Sequence, residues 1–210
     1  MKWYKRFELK EVLKSNFKNG AIYYLWGNPH QLIIKKDGDN NIAIENDNLI
    51  FSTPSFDSVE MNKSILLSWY ENLLKIEIDK IKDRIEKNVG QKADSYLVSS
   101  RLGHGHYSGL CYIESRSIEI HRKVVFYRKE ILESVMTHEL LHFIEPEHNK
   151  DFFGLLKKYC PYYQITDFCL AFKNPDYRYY NYINEVIEKK IEYNSYEEYC
   201  NVNNIKKEIL

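Results

Sequence analysis

Residues 136–153 read MTHELLHFIEPEHNKDFF. Within this stretch His138, Glu139 and His142 form an H-E-x-x-H pattern, and a third histidine, His148, follows beyond Pro146. Side chains four residues apart lie one above the other on a helix face, so His138 and His142 can reach a single ion. Glu139 sits one residue along, placed to act on a water at the metal rather than to bind the metal itself. Ile131, Val135, His138 and His142 share one stripe, which predicts a helix over residues 129–143. Pro146 ends it, and the turn there lets the chain bring His148 back as third ligand.

Three imidazoles leave the fourth position of a tetrahedral zinc open to water, the arrangement of catalytic rather than structural sites. One Zn2+ per chain is therefore the expectation, with His138, His142 and His148 as ligands and Glu139 as general base. Two other readings stay open at this level. An acidic residue, Glu145 or Glu147, replaces His148 as third ligand, or the histidines are ordinary helix residues that hold no metal. An imidazole-rich site also accepts nickel, cobalt or manganese in vitro.

Outward from the motif, the pattern is that of an α/β (α+β) chain. Toward the N-terminus, IYYLWG, HQLIIKK, IAIEN and LIFSTP alternate apolar and polar residues between Asp-Gly and Asn-rich breaks, which predicts a meander of three or four short strands. A long amphipathic helix is expected over residues 61–89, with Ile65, Trp69, Leu73, Ile76, Ile81 and Ile85 on its apolar side and Asn88-Gly90 as its stop. Strands follow at 96–100, in LCYI and in SIEIH, and a second short helix at 151–159 stops before Cys160-Pro161. Residues 1–16 read as a short lead-in, and the Tyr- and Asn-rich tail has a helix at 181–193. The expected organisation is a β-rich region over 1–60, a core over 61–163 and a helical extension over 164–210, integrated as one domain.

Composition narrows the function classes. The chain has 210 residues, with 30 Lys and Arg against 30 Asp and Glu, so bulk charge does not point to nucleic acid or an anionic membrane. No apolar run approaches the roughly 20 residues that span a bilayer. The charged opening MKWYKRFELKEVLK lacks the apolar centre of a secretory signal, so a cytoplasmic protein is expected. Cys111, Cys160, Cys169 and Cys200 form no C-x-x-C pair and read as free, buried small hydrophobes.

The motif and its surroundings resemble the YgjP-like metallopeptidases, small bacterial zincin-type proteins. The likeness covers about residues 17–163 and is most specific over 97–163. His138-Glu139-Leu140-Leu141-His142 matches the family's H-E-[LA]-[CA]-H, and Glu147-His148-Asn149-Lys150-Asp151-Phe152-Phe153 resembles its N-H-S-x-x-F-W, with Phe153 in place of Trp. Tyr159-Cys160-Pro161 is similar to the usual end of the next helix. The resemblance implies a compact zincin-like core, zinc on the three histidines, Glu139 as general base and a peptide or protein substrate. Of the family's Arg-Trp-Gly-Ser-Cys segment, only Arg101 and Gly103 match, with Leu102 for Trp and His104 for Ser.

Further candidates are weaker. His104 and His106 flank a glycine and offer a second metal site or a proton donor; Arg101 suits a substrate carboxylate; Tyr107, Tyr112 and Tyr127 suit an oxyanion. Ser117–His121 is either the edge strand that pairs with an extended peptide or an interior strand. The leading expectation is a zinc metallopeptidase. Its rivals are a hydrolase of other amides and a catalytically silent, metal-bearing module that binds protein or nucleic acid.

Overall fold

Two-residue turns dictate the first sheet. Trp26 and Gly27 (φ 50° and 80°) join β1 (Ile22–Leu25) to β2 (Asn28–Lys36), and Asn46 and Asp47 (φ 48° and 62°) join β3 (Asn41–Glu45) to β4 (Asn48–Thr53). Positive φ at both central residues matches the right-handed twist of paired strands and makes each connection a tight hairpin. These assignments come from a computed structural model that describes residues 17–55, 58–99, 108–164, 166 and 170. The lead-in at 1–16, the loop bearing Arg101, Gly103, His104, His106 and Tyr107, and the tail helix at 181–193 lie outside the described residues.

The strands expected between residues 23 and 52 are present, but they do not form a meander. Their order is β1-β2-β4-β3, with β4 parallel to β2 and antiparallel to β3. The reason lies in β4 itself, whose Leu49-Ile50-Phe51 run is buried on both faces. A strand apolar on both sides belongs in the interior, and the more exposed β3 is left at the edge.

Helix α1 (Val59–Val89) begins at Ser58, whose Oγ accepts the Met61 N–H at 3.2 Å, and stops at Gly90 in the left-handed conformation (φ 76°). Its buried face is Leu66, Tyr70, Leu74, Ile78, Ile85 and Val89. The apolar stripe expected from the sequence is thus shifted by one residue along much of the helix. Ile65, Trp69, Leu73 and Ile81 pack at the margin of the core, and Ile76 is exposed. The helix carries apolar residues over a broad arc, and only packing decides which edge of that arc points inward.

Beyond α1, β5 (Ser95–Ser99), β6 (Gly109–Tyr112) and β7 (Ser117–His121) form a sheet in the order β5-β7-β6. Ser117–His121 is therefore the central strand and not an edge. Ile118 and Ile120 are fully buried, whereas Leu110 and Tyr112 on β6 are exposed. A 3-10 helix (Arg122–Phe126) leads into α2 (Lys129–Leu141), and α3 (Lys150–Tyr159) follows. Three helices and seven strands thus make an α+β fold among the described residues.

Several contacts hold α2 in place. Trp26 and Gly27 donate backbone hydrogen bonds to the carbonyls of Val125 and Phe126 at 2.9 and 3.2 Å, which docks the first hairpin on the 3-10 helix. Tyr70 of α1 meets Phe126 edge-on, with ring centres 4.9 Å apart. Lys129–Glu77 and Arg84–Glu133 join α2 to α1 at 2.8 and 2.6 Å. Side chains from both sheets and all three helices belong to one buried cluster, which includes Phe51, Leu74, Ile120, Phe126, Met136 and Phe152. Phe126→Ala is expected to lower stability by about 3–5 kcal/mol, the range for a buried aromatic truncated to alanine. In urea unfolding, tryptophan fluorescence and far-UV dichroism should still report one shared transition; separate transitions would show that the first sheet and α2 do not share a core.

Candidate metal centre

His138 and His142 project from the last turn of α2, and His148 enters from the turn before α3. Helix α2 ends sooner than the sequence pattern predicts, at Leu141 with His142 as its C-cap. The N–H groups of Phe143 and Ile144 close on the carbonyls of Leu140 and Leu141 at 3.1 and 2.9 Å, and Glu145 N–H also reaches Leu141 at 2.9 Å. The helix therefore tightens before Pro146 rather than at it. Asn149 then starts α3, its Oδ1 accepting the N–H groups of Asp151 and Phe152 at 2.9 and 3.0 Å.

This turn brings the three imidazoles together. The ring centres of His138 and His142 are 5.0 Å apart, those of His138 and His148 4.9 Å, and those of His142 and His148 4.7 Å. One ligand nitrogen from each lies within 4.8 Å of the others, and the Nε2 atoms of His138 and His148 approach to 2.8 Å. Glu145 and Glu147 are not in the cluster; Glu145 contributes its backbone carbonyl, 3.3 Å from His142 Nδ1. That contact suits an Nδ1–H donor and leaves the His142 Nε2 lone pair for an ion. Phe152, fully buried, lies 4.7–4.9 Å from all three rings and stacks on His142.

The donor set fits a divalent cation of the zinc type. Burial, together with the neighbouring His142 and His148, pushes His138 down to about 3, and burial and His148 push His142 down as well. Both rings are neutral near pH 7, the form that ligates metal. Among the described residues the cluster contains imidazoles only, with no cysteine or carboxylate.

Glu139 lies on the sheet side of α2. It is 6% exposed and makes no hydrogen bond to a described residue through its carboxyl group. Burial raises its pKa to about 8. Its neighbours are the backbone of β6 at Gly109 and the side chain of Cys111, whose thiol is raised to about 11 by burial and then by Glu139, with Arg116 opposing. Gly109 and Cys111 pair with Ile120 and Ile118, so both occupy the inward face of the sheet. Neither stood out as a site residue in the sequence, although the Gly-x-Cys spacing of the Arg-Trp-Gly-Ser-Cys segment recurs there. Of the tyrosines considered, Tyr112 is on the outward face, bonded to Glu119 at 2.7 Å, and Tyr127 is buried.

Three converging imidazoles beside a buried carboxyl, at the end of one helix and the start of the next, define a candidate mononuclear metal centre. Comparison with known families gives a match to "YgjP-like, metallopeptidase domain" over residues 2–171. The chain belongs to the YgjP-like metallopeptidase family, and the match extends beyond the 17–163 expected from the motifs on both sides. No curated protein and no solved structure gives a significant match. Among the described residues, no helix is long and apolar enough to cross a membrane.

The charge states predict a pH signature in metal-free protein. Glu139 has a folded pKa of about 8 against an ordinary 4.5, so the folded state keeps a proton that the unfolded chain loses. Its stability contribution is complete below pH 4.5 and is lost as pH rises toward 8. His138 and His142 act oppositely: their folded pKa values lie below the ordinary 6.5, so their contribution is present above pH 6.5 and lost on acidification. In urea unfolding with chelator present, Glu139→Gln should therefore remove a decline in stability between pH 6.5 and 8. Parallel curves for wild type and variant would show a solvated carboxyl.

Proposed function

We propose that this protein is a zinc-dependent peptidase in which His138, His142 and His148 hold the ion and Glu139 is the general base. The observation that carries this reading is the convergence of the three imidazoles, two from the end of α2 and one from the turn before α3, beside a buried carboxyl. A zinc ion at such a site acts as a Lewis acid, polarising a carbonyl and lowering the pKa of water.

The chain's own residues supply the rest. Glu139 Oε1 or Oε2 accepts the proton of the attacking water and returns it to the departing amine. Burial makes the Glu139 carboxylate the more basic, and a cation held by the three histidines would favour the ionised form that accepts the proton. The Glu145 carbonyl orients His142, and Phe152 fixes the tilt of all three rings from below.

Strand β6 is the natural place for substrate. It is an edge of its sheet among the described residues and runs past Glu139 at Gly109. An extended peptide added antiparallel or parallel to that edge would be held by main-chain hydrogen bonds, which tolerate many side chains. The role first considered for Ser117–His121 thus passes to Gly109–Tyr112.

Protein purified without a histidine tag should contain about one zinc per chain by elemental analysis, and His148→Ala should lose it or bind it far more weakly. Absence of metal even after zinc is offered would remove the reading. Against a mixture of fluorogenic peptides, Glu139→Gln should lower the rate by about 10²–10⁴-fold, the usual weight of a general base, while keeping zinc. Full activity in that variant would exclude Glu139 as the base.

A further inference from the structure

Gly109 is hemmed in more tightly than Gly20, Gly38, Gly90 or Gly154. A Cβ placed there would lie 2.6 Å from Glu139 Oε1, 2.8 Å from Glu139 Cγ and 2.9 Å from Val135 Cγ1. At Gly38, Gly90 and Gly154 the same construction meets nothing within 4 Å. Backbone conformation is not what position 109 requires, because its φ lies outside the left-handed region. The requirement is purely one of space. An L-residue fits the strand but not the gap between β6 and α2.

We propose that Gly109 is a positioning residue for Glu139: the bare backbone of β6 is the wall that sets the carboxylate, and a side chain there turns it away. The inference rests on Glu139 being the general base. Glu139 has no hydrogen bond to a described residue that would orient its carboxyl group, so its placement depends on the surfaces around it. Helix α2 supplies one surface through Val135, and β6 supplies the facing one.

Where an added methyl group would find room follows from the stiffness of its neighbours. Strand β6 is tied to β7, with His121 N–H donating to the Ser108 carbonyl at 2.9 Å and Ile118 and Ile120 fully buried behind it. Val135 is β-branched and restricted at χ1 on a helix. Glu139 has three rotatable side-chain bonds and no described hydrogen bond to break. Relief therefore falls on the carboxylate, and its displacement reaches catalysis before it reaches the fold.

The test is Gly109→Ala, alone and combined with Glu139→Ala. In the single variant, zinc content by elemental analysis should remain at the wild-type level. With the fluorogenic peptide mixture, kcat should fall by about 10²-fold, the scale for a catalytic group displaced by about 1 Å, with KM little changed. In urea unfolding, the destabilisation caused by Gly109→Ala should shrink in the Glu139→Ala background, because the group it strikes is gone. Should Gly109→Ala alone fail to fold, recovery of folded protein in the double variant supports the proposal, and failure of both overturns it. Wild-type kcat in Gly109→Ala, or equal destabilisation in both backgrounds, also overturns it. Undiminished activity in Glu139→Gln instead removes the general-base reading, while the unfolding cycle still reports whether Gly109 sets Glu139.

Discussion

Two imidazoles on one helix face approach a common point by helical periodicity alone, but a third has to be returned to that point by the chain. The turn between His142 and Asn149 performs this return, and the convergence of the three imidazoles depends on it. It is short and locally determined: His142 caps α2, the following N–H groups close on Leu140 and Leu141, and Asn149 opens α3. The first turn of α3 then places Phe152 in contact with all three rings, stacked on His142 and edge-on to His138 and His148. The two sheets and α1 complete the support by fixing α2 from behind.

Burial acts with one sign on His138, His142 and Glu139, yet has two chemical outcomes. It disfavours charge, so His138 and His142 stay neutral, the form that can ligate a metal, while Glu139 retains its proton in the metal-free protein. A cation held by the three imidazoles would favour the Glu139 carboxylate, so in the proposed mechanism ionisation of the base would follow occupation of the site. Cys111, beside Glu139, is driven the same way and remains a thiol.

What was legible in the sequence was what local periodicity controls. The H-E-x-x-H spacing identified the residues of α2 that face a common point, and the Pro146 turn explained how His148 could join them. The strands of the first sheet were visible through alternation and Asn/Asp breaks, but not their order, because the pairing of β4 with β2 depends on burial of both faces of β4. Similarly, Leu66, Tyr70 and Leu74 were passed over for Ile65, Trp69 and Leu73, since a broad apolar arc does not reveal which of its edges is inward. The contact of Gly109 with Glu139 joins residues far apart in the chain and on different elements, so no spacing rule exposes it. The central position of Ser117–His121 is likewise a property of the assembled sheet.

In the proposed mechanism His138, His142 and His148 bind one ion and leave room for a further ligand from solvent. X-ray absorption at the zinc edge, on protein loaded with one equivalent of zinc, tests this most directly. The expected spectrum has three imidazole nitrogens at about 2.0–2.1 Å with one additional oxygen in the first shell, and no sulfur. A shell containing sulfur at about 2.3 Å, or fewer than three imidazoles, would contradict the assignment.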